Sequence, residues 1–170
     1  MSIIDRIDIQ RVAVERATVV SGQPFDAVVA KLTAAIGHLD MSAFARDVVA
    51  ARTSADLERI VEAATGPAGL MEMAHFDIGE VLRKELSNSA PKSVRLVIGN
   101  PLIMKAMVKY VPDAALYALV TVLIDQRPDG VHVSYDLMAS LLAPYGNEEA
   151  LAVARDLDAK VVGLLTAAVE

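Results

Sequence analysis

The sequence contains no cysteine and no tryptophan. Without a thiol, the chain can form no disulfide, no thiolate zinc site and no iron–sulfur cluster, and it has no cysteine nucleophile. Three phenylalanines and four tyrosines leave few rings on which nucleic-acid bases could stack. Basic residues are scattered, and the net charge is −6 with a pI of about 5.0. We therefore expect no nucleic-acid partner, because binding a phosphate backbone needs a basic surface.

Long apolar runs are also missing, although hydrophobic residues make up 54% of the chain and the mean hydropathy is +0.41. Charged residues interrupt every apolar run well before the roughly 18 residues that a membrane span needs. The opening segment, residues 1–6, lacks the basic start and long apolar stretch of a secretory signal. These absences predict a protein of the cytoplasm with no membrane partner.

Hydrophobic periodicity predicts a mixture of strands and helices. Apolar alternation and β-branched residues predict strands over 9–20, 70–76, 93–98, 119–125 and 131–136. Helical spacing and capping residues predict helices over 24–36, 40–52, 53–64, 77–86, 100–110 and from 147 onward. Thr53 with Asp56 three residues later forms a capping-box pattern. The last helix should bury one face, made of Ala150, Ala154, Leu157, Val161, Leu164, Leu165 and Ala168.

The turn Pro128-Asp129-Gly130 lies between the last two predicted strands, so these strands should form an antiparallel hairpin. We expect an α+β fold of two layers, in which a curved antiparallel sheet packs against helices. One domain should span residues 1–170. Its core should lie over about 9–36 and 70–170, with a helical insertion over about 38–69.

The segment Gly99-Asn100-Pro101 joins an apolar strand to a helix. Asparagine is a strong N-cap and proline is favoured at the next position, so a helix start explains the pattern. The alternative is an anion site on the free amides of that helix end. A phosphate loop would offer more glycines and a lysine, serine or threonine, whereas Leu102 and Ile103 follow here. We interpret the junction as architecture.

The order of these short motifs resembles one known family. Gly99-Asn100-Pro101-Leu102, the strand after Tyr117, the Pro-Asp-Gly hairpin and Tyr135-Asp136 together resemble the domain of unknown function 302 family, over roughly residue 12 to the end. The resemblance implies a fold similar to the TATA-binding-protein-like arrangement, but no DNA binding. That family has no established activity, so no catalytic residue is transferred. Many relatives carry a cysteine where Gly99 stands, so a thiol or soft-metal role cannot operate in this chain.

The three histidines, His38, His75 and His132, have no second ligand at a recognised metal spacing. His132 should face solvent. His75 should share a strand face with Met71 and Met73, which suits either a soft metal or haem, or simple core filling. We expect core filling, and neither a metal nor a cofactor.

The leading functional hypothesis is a domain that catalyses no reaction and binds a small apolar or amphipathic ligand, or a partner protein. A curved sheet under helices leaves a concave space, and such spaces hold ligands through apolar walls and a few polar anchors. No residue is assigned a catalytic role. The candidate ligand-binding residues are His75, Asn100, Tyr117, Tyr135, Asp136 and Ser140.

Two alternatives stay open. The first is an enzyme that uses His75 and Asp136 as acid and base. The second is a structural module for homo-oligomerisation. Alongside the leading hypothesis we expect self-association as a dimer, because the apolar fraction is high and an edge strand needs cover.

Overall fold

The structure, a computed structural model, describes residues 7–86 and 90–170; residues 1–6, in which we saw no secretory signal, lie outside them. Within these ranges the chain forms five strands and seven α-helices. The strands are β1 (Arg16–Ser21), β2 (Met71–Asp77), β3 (Ser93–Gly99), β4 (Val120–Arg127) and β5 (Gly130–Asp136). The helices are α1 (Phe25–Ala35), α2 (Met41–Ala50), α3 (Ser54–Ala64), α4 (Ile78–Leu86), α5 (Pro101–Val108), α6 (Met138–Leu142) and α7 (Glu148–Val169).

The five strands form one open sheet in the order β1-β5-β4-β3-β2, and every neighbouring pair is antiparallel. The α+β, antiparallel expectation is therefore confirmed. In the β4–β5 hairpin, Arg127 pairs with Gly130, so Pro128 and Asp129 alone form the turn. Gly130 has a φ of 142°, and a Cβ there would lie 2.6 Å from the Ser21 carbonyl oxygen. Only glycine fits this position.

Helices cover one face of the sheet. The longest helix, α7, contacts α1, α5, α6, β1 and β5. Every α7 residue that the periodicity assigned to the core is buried, and alternate strand residues such as Leu96, Val122 and Ile124 meet the helices from below. Among the described residues, no helix is both long enough and apolar enough to cross a membrane.

The opposite side of the sheet, which we call the open face, carries exposed and half-buried side chains. They alternate with the core residues along the strands and include Thr18, Arg95, Val97, Thr121 and Leu123. The exposed hydrophobic residues Val20, Phe76 and Leu119 lie on this side or at its rim. The open face is therefore mixed in polarity and available to solvent.

Two strand predictions were wrong in detail. β1 begins only at Arg16, which pairs with Asp136, the last residue of β5. Within the described chain, residues 7–15 have no neighbouring strand with which to pair, so they stay outside the sheet. β2 contains a bulge: Glu72 pairs with Ile98 and Ala74 with Val97, which leaves Met73 as the extra residue. The helices α2 and α3 occupy the stretch that we interpret as an insertion.

Candidate functional site

The candidate site is a concavity of about 520 Å³ on the open face, where β4 begins and β5 ends. The floor is formed by open-face residues of the sheet, among them Thr121 and Leu123. The 3-10 turn Pro112–Leu116 and helix α6 stand on either side of it. The sheet therefore supplies a rigid floor, and two short helical segments supply the walls.

The apolar part of the concavity is built from leucines. Leu116 is 76% exposed and Leu119 is 46% exposed, and both face the same space as Leu123 and Leu141. Isolated exposed leucines are ordinary on protein surfaces, but several that line one concave space are typical of a binding site. The four leucines come from the 3-10 turn, the residue before β4, the middle of β4 and α6.

Two arginines of the site already hold carboxylates. Arg16 donates through Nε to Asp136 Oδ1 at 2.5 Å and through Nη2 to Oδ2 at 3.0 Å. Arg127 donates through Nε to Asp125 Oδ2 at 2.5 Å. In each pair the hydrogen bond to the carboxylate is the main cause that raises the pKa of the arginine. Both guanidinium groups are therefore internally neutralised.

A third arginine, Arg95, is differently placed. It lies on β3 directly opposite Leu123 of β4 and Phe76 of β2. Its guanidinium carbon lies 5.7 Å from the centre of the Phe76 ring. Within the described part of the chain, no carboxylate lies within ion-pair distance of Arg95. The concavity thus contains one cation with an aromatic neighbour and no internal counter-charge.

Tyr135, the buried tyrosine of the site, has a structural role. Its hydroxyl donates to Asp158 Oδ1 at 2.7 Å, and the amides of Met138 and Ala139 donate to the same carboxylate at 2.7 and 3.0 Å. Burial first, and then the hydrogen bond to Asp158, raise the pKa of the Tyr135 phenol. Asp158 of α7 therefore fixes the first turn of α6, which carries part of the wall of the concavity.

Tyr117 stands at the rim, next to Tyr145. A hydrogen bond between the two hydroxyls is the main cause that raises the pKa of Tyr145 to about 12, with burial and the nearby Asp113 adding to it. Tyr117 is half-buried and lines the concavity. Its ring offers a ligand both an apolar surface and a polar edge.

With this geometry in place, comparison with known proteins identifies the family. A family model described as "Domain of unknown function DUF302" matches residues 47–168, which is most of the chain. The chain belongs to the DUF302 family.

The fold of this DUF302 chain is also found in a solved structure. It is similar to the "Crystal structure of uncharacterized conserved protein DUF302 from Bacillus stearothermophilus", with a TM-score of 0.63 and 10% sequence identity. The alignment covers 90% of this chain and 97% of that one. At such an identity the likeness concerns the fold alone. No curated protein matches the chain.

The structure brings three of the six predicted site residues together. Tyr117, Tyr135 and Asp136 all line the concavity of this DUF302 domain. Two of them already have internal partners, because Asp136 binds Arg16 and Tyr135 binds Asp158. Of the three, Tyr117 is a half-buried residue of the rim that is not held by an ion pair or by Asp158.

Asn100 and Ser140 lie elsewhere and act as local structure. Asn100 accepts a hydrogen bond from the Leu102 amide at 2.8 Å and donates one to the Gly69 carbonyl at 2.9 Å. Ser140 donates to the Leu137 carbonyl at 2.7 Å and accepts from the Glu15 amide at 3.0 Å. Both side chains use their polar atoms within the fold, as a helix cap and as a turn.

His75 does not share a side of β2 with Met73, because the bulge at Met73 shifts the alternation. It instead shares a side with Glu72, whose Oε2 lies 3.6 Å from His75 Nδ1 and 3.7 Å from His38 Nδ1. Nowhere in the described chain are three His, Cys, Asp or Glu side chains arranged to hold a metal ion. The cluster is a polar patch at the edge of the sheet.

The proposed acid–base pair of His75 and Asp136 is not assembled. β3 and β4 separate the two strands, so the residues lie about three strand spacings, or about 14 Å, apart. His75 is opposite the core residue Leu96, whereas Asp136 faces the concavity. His132, expected at the solvent, is 8% exposed, and its Nε2 lies 2.9 Å from Asp129.

Sequence reasoning missed Arg95, Leu119 and Leu123. A signal for two of them was available. In the strand Ser93–Gly99, Arg95 is the only charge among apolar neighbours. In β4, Leu123 places an apolar residue on the side where an alternating antiparallel strand would expose a polar one. Of these two, only Leu123 breaks the alternation, because Arg95 stands where an alternating strand exposes a polar residue.

Proposed function

We propose that this DUF302 domain binds a small amphipathic molecule in the concavity of the open face. The observation that supports the proposal is the combination of a volume of about 520 Å³, an exposed group of leucines and a few polar side chains. Small-molecule sites have volumes of about 300 to 1,000 Å³ and this mixture of apolar wall and polar anchors. Leu116 and Leu119 are both exposed and line the same concave space, which is unusual for a surface without a binding partner.

Binding is favoured over catalysis by the state of the polar groups. Arg16 and Asp136 bind each other, and Tyr135 binds Asp158. Thr18 and Ser134 share a hydrogen bond of 3.0 Å between their hydroxyls. In the described chain these pairings leave no nucleophile beside a free base in the concavity. The groups can position a ligand without reacting with it.

The test is a panel of medium-chain alcohols, acids and amines, added to the full chain and followed by thermal shift and by native mass spectrometry. Leu116→Asp places a charge in the apolar wall and should weaken binding of the best panel member at least tenfold. Val49→Asp is the matched control, because Val49 is 86% exposed on α2, outside the concavity. The proposal is wrong if no panel member binds, or if the two variants lose binding equally.

Self-association is a second candidate property. β1 and β2 are the edge strands of the sheet; Gly37 bridges to Met71 on the outer side of β2, and the strand edges that stay unpaired invite pairing with another chain. We propose a homodimer on this ground. Size-exclusion chromatography with light scattering tests it, and a monomer at micromolar concentration would remove the dimer from consideration while leaving the ligand proposal intact.

A further inference from the structure

We infer that the ligand of this site is an amphipathic carboxylate, that is, an apolar tail with an acidic head that binds Arg95. The inference rests on the proposed binding function and adds the chemical class of the ligand. Its basis is the contrast among the three arginines of the concavity, two of which hold carboxylates of the chain while the third holds none within the described residues.

The lack of a partner for Arg95 does not come from a shortage of acidic residues. The chain has 22 aspartates and glutamates against 16 lysines and arginines. Arg16 and Arg127 take up Asp136 and Asp125 on the same face of the sheet. Arg95 is nevertheless flanked by Leu123 and Phe76 on its two neighbouring strands. Its charge therefore faces a partly apolar space that a ligand's carboxylate can neutralise.

The surroundings of Arg95 favour an oxyanion head group, of which a carboxylate is the simplest, over a neutral one. The ring of Phe76, 5.7 Å from the guanidinium carbon, restrains the flat group by a cation–π contact. A restrained guanidinium presents its N–H groups as a planar fork, which matches the two oxygens of a carboxylate. Arg95 is exposed, so the pair forms at the protein surface, and its two-point geometry rather than a low dielectric gives it strength.

The apolar wall accounts for the rest of the molecule. Leu123 lies directly across from Arg95, and Leu119 and Leu116 continue the apolar surface towards the rim. A ligand whose head binds Arg95 can therefore lay a flexible hydrocarbon tail along these leucines. Tyr117 also lines the concavity and adds a further ring surface to it.

The experiment compares decanoate with decanol by isothermal titration calorimetry, using the full chain. The wild type should bind decanoate at least tenfold more tightly than decanol. Arg95→Gln should abolish that difference while leaving decanol binding unchanged, and Arg95→Lys should restore only part of it. Arg155→Gln removes one positive charge from the exposed surface of α7 and should leave both affinities unchanged, which controls for net charge.

The outcomes separate the two proposals. If decanol and decanoate bind the wild type equally, the concavity binds amphipathic molecules but the carboxylate inference fails. If neither binds, the carboxylate inference fails, and the binding proposal fails with it when no other panel member binds. If Arg95→Gln weakens self-association instead and decanoate binds no variant, Arg95 pairs with a carboxylate of a second copy, and the inference is overturned. Circular dichroism of Arg95→Gln and Arg95→Lys verifies that each variant is folded.

Discussion

The two faces of this sheet are built from the same strands but follow different rules. On the covered face, Val122 and Ile124 are buried against helices, and the buried carboxylate Asp158 accepts three hydrogen bonds. On the open face, Leu123 lies between these two residues in sequence and borders Arg95, a cation with no carboxylate partner in the described chain. The buried side is therefore held by paired groups, whereas the open face keeps one cation for which we propose a ligand.

The largest expected effect is a difference in the free energy of unfolding between alanine variants of two neighbouring residues on β4. Ile124→Ala should lower the free energy of unfolding by about 4 kcal/mol, because Ile124 is fully buried and its loss leaves a cavity. Leu123→Ala should cost less than about 1 kcal/mol, since Leu123 is only half-buried. Urea denaturation measures both. Equal losses would show that the open face is as tightly packed as the core.

The next effect tests the buried carboxylate that holds α6 to α7. Asp158→Ala should cost about 3 kcal/mol, because it leaves the Tyr135 hydroxyl and two amides without an acceptor. Asp158→Asn keeps an acceptor oxygen and should cost less. If the alanine variant proves as stable as the wild type, Asp158 is not the anchor of α6. Stability is again measured by urea denaturation near neutral pH.

A smaller effect appears at alkaline pH. Burial and Asp158 raise the pKa of Tyr135 above its usual 10, so above that pH the unfolded chain releases the phenolic proton while the folded chain keeps it. The stabilisation is complete below pH 10 and is lost as the pH rises towards the folded pKa, by up to about 1.4 kcal/mol per pH unit. Tyr135→Phe lacks this proton, so its stability should fall less steeply between about pH 9 and pH 11. Identical slopes would contradict the assignment.

Local features of the fold could be predicted from the sequence. The N-cap of Asn100, the capping box of Thr53 with Asp56 and the buried face of α7 were all confirmed. Each depends on residues three or four positions apart, which a sequence displays directly. The start of β1 and the bulge at Met73 were not predictable, because both depend on which strand lies alongside.

The same distinction between local and long-range features applies to the candidate site. Tyr117, Tyr135 and Asp136 were named from the sequence and do meet in the concavity, but Tyr135 and Asp136 already have partners in the fold. Arg95 was missed because its lack of a carboxylate partner in the described chain depends on which residues lie on the neighbouring strands. Packing between segments that are distant in sequence decides which face of the sheet the helices leave open. The sequence of a single strand therefore does not show which face that is.

The smallest change in stability, and the finest test of the open face, comes from Gly99. A Cβ at this position would lie 2.8 Å from Leu119 Cδ2 and 3.5 Å from the Ala118 carbonyl oxygen. Because Leu119 is 46% exposed, its side chain can rotate away, so Gly99→Ala should change the free energy of unfolding by less than about 1 kcal/mol. The rotation alters the apolar wall, and decanoate binding by calorimetry should weaken several-fold.

Gly163→Ala is the control, since a Cβ there meets nothing within 4 Å; it should stabilise α7 slightly and leave binding unchanged. If Gly99→Ala binds decanoate as the wild type does, Leu119 is not part of the wall, and the apolar path from Arg95 must end at Leu123.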